Sequence, residues 1–469
     1  MLYATPFITV YCCVLAAILG LCMGSFLNCL AWRIVHGESA LKGRSHCDVC
    51  GHVLDPRDLV PVVSYLASKG KCRYCGARLS ARHLLAELAT GITYVLVLLK
   101  YDISLQALQW VLYGSVLLLC AFGLVMVFSA SYYYAQNKAS LNYDGLYYLK
   151  NQAKYMAMGL GVMIVMSRVD YHYLEKLRNV GLMVTLLLML ATVFWGEDIN
   201  GAKRWLNLFD VITFQPSELA KFVLILYMAS FMTRRAPQMK SFTRGIVPML
   251  IIMCIICILL LLQKNMSMMM VVMMIGFVML FLGGADMRHL VGLCLLAVPV
   301  FFLAASMETY RWNRLVIFTN PWKDPQGNGY QLIQSLYALG SGGLFGKGLN
   351  FSTQKLLFLT YGESDFIFAI IGEELGFIGC VLVIAAYFFL VCRGMRIAAR
   401  CKDKFGSLLA AGITSVIAIQ VAVNIGVATS SVPPTGQTLP FISAGGTSLI
   451  IFMAAAGILL NISRNTESI

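Results

Sequence analysis

Twelve apolar runs dominate this sequence, at 7–28, 84–99, 105–129, 152–168, 180–195, 217–233, 246–262, 266–284, 288–306, 365–392, 409–431 and 443–462. A helix needs roughly 17–25 apolar residues to cross a hydrocarbon core. A buried core helix of a soluble protein explains one or two such runs, not twelve. Only 12% of the 469 residues are charged, against about 25% in a soluble domain. In lipid every backbone N–H and C=O must be paired internally, which leaves helices for runs of this length. The expected fold is therefore an all-α polytopic bundle of eleven to twelve apolar segments, ten of them from residue 105 onward.

The formal net charge of +14 does not indicate a nucleic-acid partner. The basic residues sit mainly in short loops between spans, as the positive-inside bias requires, and they suit anionic lipid head groups. The first apolar run lacks a basic stretch before it and is followed by further spans, so it reads as a retained helix rather than a cleaved leader. Of fifteen cysteines, most lie singly in apolar runs, where a thiol is a small hydrophobe.

Four cysteines differ. The polar loop 33–83 contains HCDVC at 46–50 and KCRYC at 71–75, two C-x2-C knuckles separated by 21 residues. Such knuckles let Cys47, Cys50, Cys72 and Cys75 surround one tetrahedral Zn2+. The alternative is a disulfide pair. The loop carries nine Lys/Arg against four Asp/Glu, which marks it as cytoplasmic and reducing and favours the metal. With four thiolates no coordination position stays open for water, so the zinc is expected to be structural. His46, His52 and His83 read as surface residues.

GSFLNCLAWRI (24–34), the two knuckles, LVPVVSYL (59–66) and GKCRYCGARLSARHLLAEL (70–88) resemble the amino-terminal region of the type IV prepilin peptidases. The resemblance covers residues 1–117. That family's cleavage chemistry needs two membrane aspartates, one in a GxGD motif. The nearest string here, GGAD at 283–286, has the wrong third residue, so prepilin cleavage is not expected. The region is expected to be a membrane helix with a folded cytoplasmic zinc module.

Residues 118–469 read differently. The segment 307–364 is the longest polar stretch of this part, and loops of that length are usually functional or disordered. Its Trp322, Tyr330, Leu336, Tyr337, Leu344 and Phe345 argue for an ordered lid or site. Asp324 sits in a Pro-bracketed turn, Pro321-Trp322-Lys323-Asp324-Pro325, followed by Gly327 and Gly329; Pro and Gly fix a tight path there. From the residues alone, a turn-making and a catalytic aspartate both stand open. Glu218 and Lys221 lie three apart on one helix face inside an apolar run, where charge is costly and often functional. They either line a cavity below Asp324 or form a structural ion pair. Glu373 and Glu374 also lie inside an apolar run.

GLVMVFSAS (123–131), NGAKRWLNL with FQPSELAKF (200–222), NPWKDPQGNGYQLIQSLYALGSGGLFGKGL (320–349), DFIFAIIGEELGFIG (365–379) and PPTGQTLPFISAGGTSLI (433–450) occur in the order of the SEDS family (shape, elongation, division and sporulation). PPTGQTLPF is closer to its FtsW-like division branch than to its RodA-like branch. The resemblance implies a peptidoglycan glycosyltransferase that polymerises lipid II, with Asp324 aligned with the aspartate taken as catalytic. It also implies a class B penicillin-binding protein transpeptidase and other divisome proteins as partners. Two departures stand out. QKNMSM (263–268) puts Asn265 where the family often has Asp. LTYGESDF (359–366) replaces LPExHTDF but keeps Asp365.

The chemistry suits one carboxylate. A sugar 4-hydroxyl loses a proton as it attacks the anomeric carbon of the lipid-pyrophosphate donor, and a positioned Asp accepts it. The pyrophosphate leaves already charged and needs positive charge or a divalent cation beside it. Lys203, Arg204, Arg311, Arg314, Lys347 and Lys355 are the expected contacts, with Glu218 and Lys221 in the cavity.

Positive charge marks Arg168, Lys176 and Arg178, then Arg234, Arg235, Lys240 and Arg244, then Arg393, Arg396, Arg400, Lys402 and Lys404. These ends are expected to face the cytoplasm, which puts 129–151, 196–216, 307–364 and 432–440 outside. The zinc loop is basic too, so either one of 84–99 and 105–129 does not cross or one of the two modules is inverted; 84–99 is expected to be interfacial or re-entrant. Two other functions fit a multispan bundle: a flippase of the lipid precursor, or a division scaffold. A polymerase needs Asp324 on an outer segment; a flippase does not.

Overall fold

In the computed structural model, the described residues are 17, 21, 25, 50–53, 62–68, 70–77, 84, 85, 87–93 and 95, and 105–465 apart from 200, 209–211, 307, 308, 328 and 357. The chain divides into two compact units, Met1–Val111 and Leu112–Ile469.

The first unit contains the short helix α1 (Val63–Ala67) and helical positions within 84–93. The backbone N–H of Val62 donates to Glu87 Oε2 at 2.8 Å. Cys47 and most of the run 7–28 lie outside the described residues.

Each of the ten apolar runs from residue 105 onward coincides with a helix: α2 (Leu105–Gln136), α3 (Tyr147–Arg168), α4 (His172–Trp195), α5 (Pro216–Arg234), α6 (Val247–Leu262), α7 (Met266–Leu282) and α8 (Met287–Ser306), followed after two shorter helices by α11 (Ile367–Arg400), α12 (Lys404–Ala428) and α13 (Gly446–Asn465). Among the described residues six helices are long and apolar enough to cross a membrane: Leu112–Gln136, His172–Trp195, Phe242–Leu262, Ile367–Arg400, Lys404–Ala428 and Gly446–Arg464. Helices α7 and α8 are apolar but shorter stretches, and α3 and α5 are diluted by internal charges such as Lys154, Glu218 and Lys221.

The centre is built from α5, α12 and α13. Helix α5 is buried on nearly all sides, and α12, capped by the Asp403 carboxylate on Phe405 N and Gly406 N, packs on α5, α7 and α11. Lipid tails are as apolar as leucine, so close backbone approach through small residues drives packing here. A Cβ on Gly412 would stand 2.4 Å from Ile225 and 2.7 Å from Met279. Helices α3 and α13 approach reciprocally through Gly159, against Met453, and Gly457, against the Met163 carbonyl. Helix α4 lies at the rim and exposes Leu177, Met183, Leu187 and Phe194, as a lipid-facing helix does.

On α2 the buried residues Leu112, Val116, Leu119, Cys120, Met126, Val127 and Ala130 recur at helical spacing. At Gly123 on that stripe, a Cβ would meet the Phe441 carbonyl at 2.7 Å. The GLVMVFS and PFISAGG motifs are thus one packing contact, which requires a glycine.

The expected helical bundle is present, with one small addition: a three-stranded antiparallel sheet follows α4, in order β1 (Glu197–Ile199), β2 (Ala202–Leu208), β3 (Ile212–Phe214). Asp198 pairs with Lys203, and Leu206 with Phe214. The chain reverses between β1 and β2 at Gly201, whose φ of +76° favours glycine. The polar segment 307–364 contains regular structure, in keeping with the ordered lid or site expected of it. It holds helices α9 (Thr309–Ile317) and α10 (Tyr330–Gly342).

Polar contacts gather at two ends of the bundle. At one end Tyr171 Oη donates to Asp403 at 3.2 Å, Arg234 pairs with Glu175 at 2.9 Å, and Arg464 donates to the Ser167 carbonyl. At the other, Arg204 donates to the Lys264 carbonyl at 2.6 Å, Arg314 to the Pro434 carbonyl at 3.4 Å, and Ala444 N to the Glu363 carbonyl at 2.9 Å.

Candidate functional site

Asp324 closes a turn that glycines make possible. Residues Pro321–Lys323 form one 3-10 turn, and Asp324 N donates back to the Pro321 carbonyl at 3.3 Å. The Asp324 carbonyl accepts from Gly329 N at 3.1 Å, and its Oδ1 accepts from Gly327 N at 3.1 Å. A Cβ on Gly327 would lie 2.3 Å from the Asp324 carboxylate, and one on Gly329 would lie 2.1 Å from the Pro321 carbonyl. The turn is therefore folded around the carboxylate, which stays half-buried. Trp322 braces it edge-on against Tyr337 of α10, with ring centroids 5.7 Å apart. Gly329→Ala forces a methyl into backbone and is expected to cost about 1–3 kcal/mol, the range for overpacking. Thermal unfolding in detergent measures this; an unchanged midpoint would mean that the turn relaxes freely.

Helix α10 ends in backbone contact with α11, since a Cβ on Gly342 would stand 1.9 Å from the Gly372 carbonyl. There α11 is broken: Gly376 has φ 70°, ψ −169°. The break orphans backbone groups, and the strap 343–348 satisfies them. Phe377 N and Ile378 N donate to the carbonyls of Gly343 and Leu344 at 2.8 and 3.2 Å. Lys347 N and Gly348 N donate to the carbonyls of Glu373 and Glu374, both at 2.9 Å.

The side chains of those two buried glutamates hold the rest of the strap. Glu373 pairs with Lys347 at 2.6 Å and accepts from Ser352, from Thr353 N and Oγ1, and from Gln354 N. Glu374 pairs with Lys355 at 2.9 Å and accepts from Ser129. Lys355 also donates to Asn350 at 2.6 Å. The two lysines expected at a pyrophosphate are thus engaged by carboxylates. Sequence reasoning singled out Glu373 and Glu374 but missed their partners, which come from a loop and from α2.

Glu218 and Lys221 form a buried ion pair at 2.9 Å. Lys221 donates to Gln420 Oε1 at 2.7 Å and lies 5.2 Å from the Phe452 ring centre. Glu218 accepts from Ser448 at 3.1 Å. Gln420 in turn donates to the Thr438 carbonyl at 3.1 Å. The PSELAKF motif, α12 and the two halves of PPTGQTLPFISAGGTS are joined through this pair.

The remaining predicted cations lie at the second polar end. Lys203 on β2 donates to the Phe194 carbonyl at 3.2 Å. Arg311 lies on α9. Arg204 and Arg314 both act on Asp365. Burial and the neighbouring Glu363 push the Asp365 carboxyl up to about 7, against the pull of Arg314, Ser364 and Arg204. Burial also raises Glu363, offset by Lys138. Asp365 was visible in the sequence as the retained acid of LTYGESDF, yet nothing local marked its environment.

In the first unit, the sulfurs of Cys50, Cys72 and Cys75 all lie within 4.8 Å of one another. A Zn2+ with bonds of about 2.3 Å to tetrahedral thiolates needs sulfurs about 3.8 Å apart. The three described cysteines fit that group. His52 packs against Tyr74 with the rings tilted at 33° and centroids 3.8 Å apart.

A polytopic helical membrane protein with a buried ion-pair network and a glycine-framed aspartate turn is the class these observations define. Residues 109–468 match the cell cycle protein family of FtsW, RodA and SpoVE, and the chain belongs to that family. Residues 18–101 match the bacterial peptidase A24 N-terminal domain. The chain is 40% identical over 377 residues to a probable peptidoglycan glycosyltransferase FtsW of Geobacter metallireducens, covering 79% of this chain and 99% of that protein. It is 39% identical over 360 residues to the stage V sporulation protein E of Bacillus subtilis, covering 74% and 94%. Among solved structures it is similar to a chain from work on the structural coordination of polymerization and crosslinking by a peptidoglycan synthase complex, with 30% identity, a TM-score of 0.64 and coverage of 77% and 98%. It is also similar to the rod shape determining protein RodA of Thermus thermophilus, with 27% identity, a TM-score of 0.57 and the same coverage.

Proposed function

We propose that this chain is a peptidoglycan glycosyltransferase that polymerises lipid II during division or wall growth, with Asp324 as the general base. The observation that carries the reading is that the chain matches nearly the full length of a protein named as such a transferase. The acceptor 4-hydroxyl oxygen attacks the anomeric carbon of the donor, the bond to the lipid pyrophosphate breaks, and the hydroxyl proton passes to Asp324. Arg204, Arg311, Arg314 and Lys203 are the cations that meet the departing pyrophosphate, with or without a divalent cation. Lys347 and Lys355 hold the strap instead, and Glu218 with Lys221 fixes the floor of the bundle beneath the site.

The positive-inside bias puts the Arg168, Arg234 and Arg400 ends in the cytoplasm of a bacterial inner membrane and the Asp324 turn outside. The partner is a class B penicillin-binding protein, within the divisome. Residues 1–117 form a separate peptidase-like domain without its catalytic aspartates, and 118–469 the transferase domain. The full chain incubated with labelled lipid II and its transpeptidase partner should yield glycan polymer. Intact lipid II with no polymer would instead favour transport or scaffolding.

In the first domain, Cys47, Cys50, Cys72 and Cys75 hold a structural zinc. About one zinc per chain is expected in the reduced full-length protein, falling on Cys72→Ser. Metal-free reduced protein would remove this reading.

A further inference from the structure

Asp365 lies at a crossing of segments that leaves several hydrogen-bonding atoms without partners. Asn424 Nδ2 on α12 donates to the carbonyls of Asp365 at 2.9 Å and Gln437 at 2.7 Å, which ties the two segments together. Gly436 lies beside the Asp365 carboxylate, since a Cβ there would be 3.3 Å from Oδ2. On either side of that glycine, Thr435 Oγ1 and Gln437 Oε1 are buried and have no hydrogen-bond partner among the described residues, and neither has Asn424 Oδ1. Asn424 is 1% and Gln437 2% exposed. Leaving one such group unmet costs about 1–3 kcal/mol, so three on the segments that meet at Asp365 mark a place built to be filled.

The two amide oxygens can only accept, and so can an ionised Asp365. Their complement is a ligand rich in O–H and N–H donors. A diphosphate has none when ionised, whereas an amino sugar presents hydroxyls and an amide N–H. We propose that Asp365, Thr435, Gln437 and Asn424 form a subsite for a sugar of the lipid-linked substrate. This rests on the polymerase reading and adds the residues that grip the saccharide. Asp365 is a positioning residue in this account, distinct from the base.

Glu363 on its own segment, Arg314 on α9 and Arg204 on β2 are the charged groups acting on Asp365. A carboxyl raised to about 7 is protonated below that pH and accepts fully above it. Sugar binding should therefore tighten as pH rises from 6 to 8, each pH lying about one unit from that value.

The test measures binding of fluorescent lipid II, and of the polyprenyl diphosphate without sugars, to the full chain in detergent. The wild type is compared with the near-isosteric variants Asp365→Asn and Thr435→Val. Expected is at least a tenfold weaker Kd for lipid II in Asp365→Asn, little change for the sugar-free diphosphate, and loss of the tightening between pH 6 and 8. In turnover, KM rises and kcat holds. Unchanged lipid II binding in both folded variants overturns the proposal. So does an equal loss for both ligands, which would make the site a diphosphate clamp. A wild type that binds lipid II but makes no polymer would sink the polymerase reading alone, because binding is read without turnover.

Discussion

Asp324→Ala is expected to lower the rate of glycan polymerisation about 10²–10⁴-fold, the contribution of a positioned general base. The alanine variant alone leaves one ambiguity, because Asp324 also closes its turn through Gly327 N. Asp324→Asn resolves it. The asparagine Oδ1 keeps that hydrogen bond, but its amide cannot take the hydroxyl proton at neutral pH. A base role predicts that Asn fails about as badly as Ala. A turn-making role predicts that Asn works and Ala does not. Thermal midpoints of the two variants show whether the turn survives.

The second large effect concerns stability. Lys355→Met removes the ammonium that meets Glu374, a carboxylate with no solvent exposure. Breaking a buried pair from one side costs about 3–5 kcal/mol, because a buried charge is left uncompensated. Replacing both partners costs much less, since neither charge then remains. Lys355→Met should therefore melt well below wild type in detergent, and Lys355→Met with Glu374→Gln should recover much of the difference. A single variant that melts like wild type would show that Ser129 alone satisfies Glu374.

The helices were legible because a hydrocarbon core imposes a length on every crossing run. The ten runs from 105 onward needed no knowledge of their neighbours to be found. The sheet was not legible: its strands are three to seven residues long, and the glycine turn between β1 and β2 is a weak signal by itself. Helix α10 was hidden by its length of 13 residues and by glycines at 340, 342 and 343. Its apolar residues Leu332, Ile333, Leu336 and Tyr337 do recur at helical spacing. The strap could not be foreseen, because Lys347 and Lys355 reach Glu373 and Glu374 only once α11 breaks at Gly376. Asp324 was found from its Pro and Gly bracket together with a resemblance. Asp365 was seen, but its environment is made by α9, β2, α12 and the 434–437 loop, segments far apart in sequence.

The glycine pattern carries a related lesson. Gly329 was legible as part of the tight turn after Asp324, whereas Gly123 and Gly342 stood in their motifs with no local mark of a special role. Each turns out to be a point where a Cβ would meet backbone at under 3 Å, so the motifs that contain them are packing contacts as much as chemical ones.

The central claim is that this chain makes glycan through Asp324. The measurement that bears on it most directly is the rate of polymer formation from labelled lipid II by purified wild type and Asp324→Asn, both shown to be folded and each with the transpeptidase partner. The account predicts polymer from wild type and at least a hundredfold less from the variant, within the range a general base supplies. Equal polymer from both would contradict it.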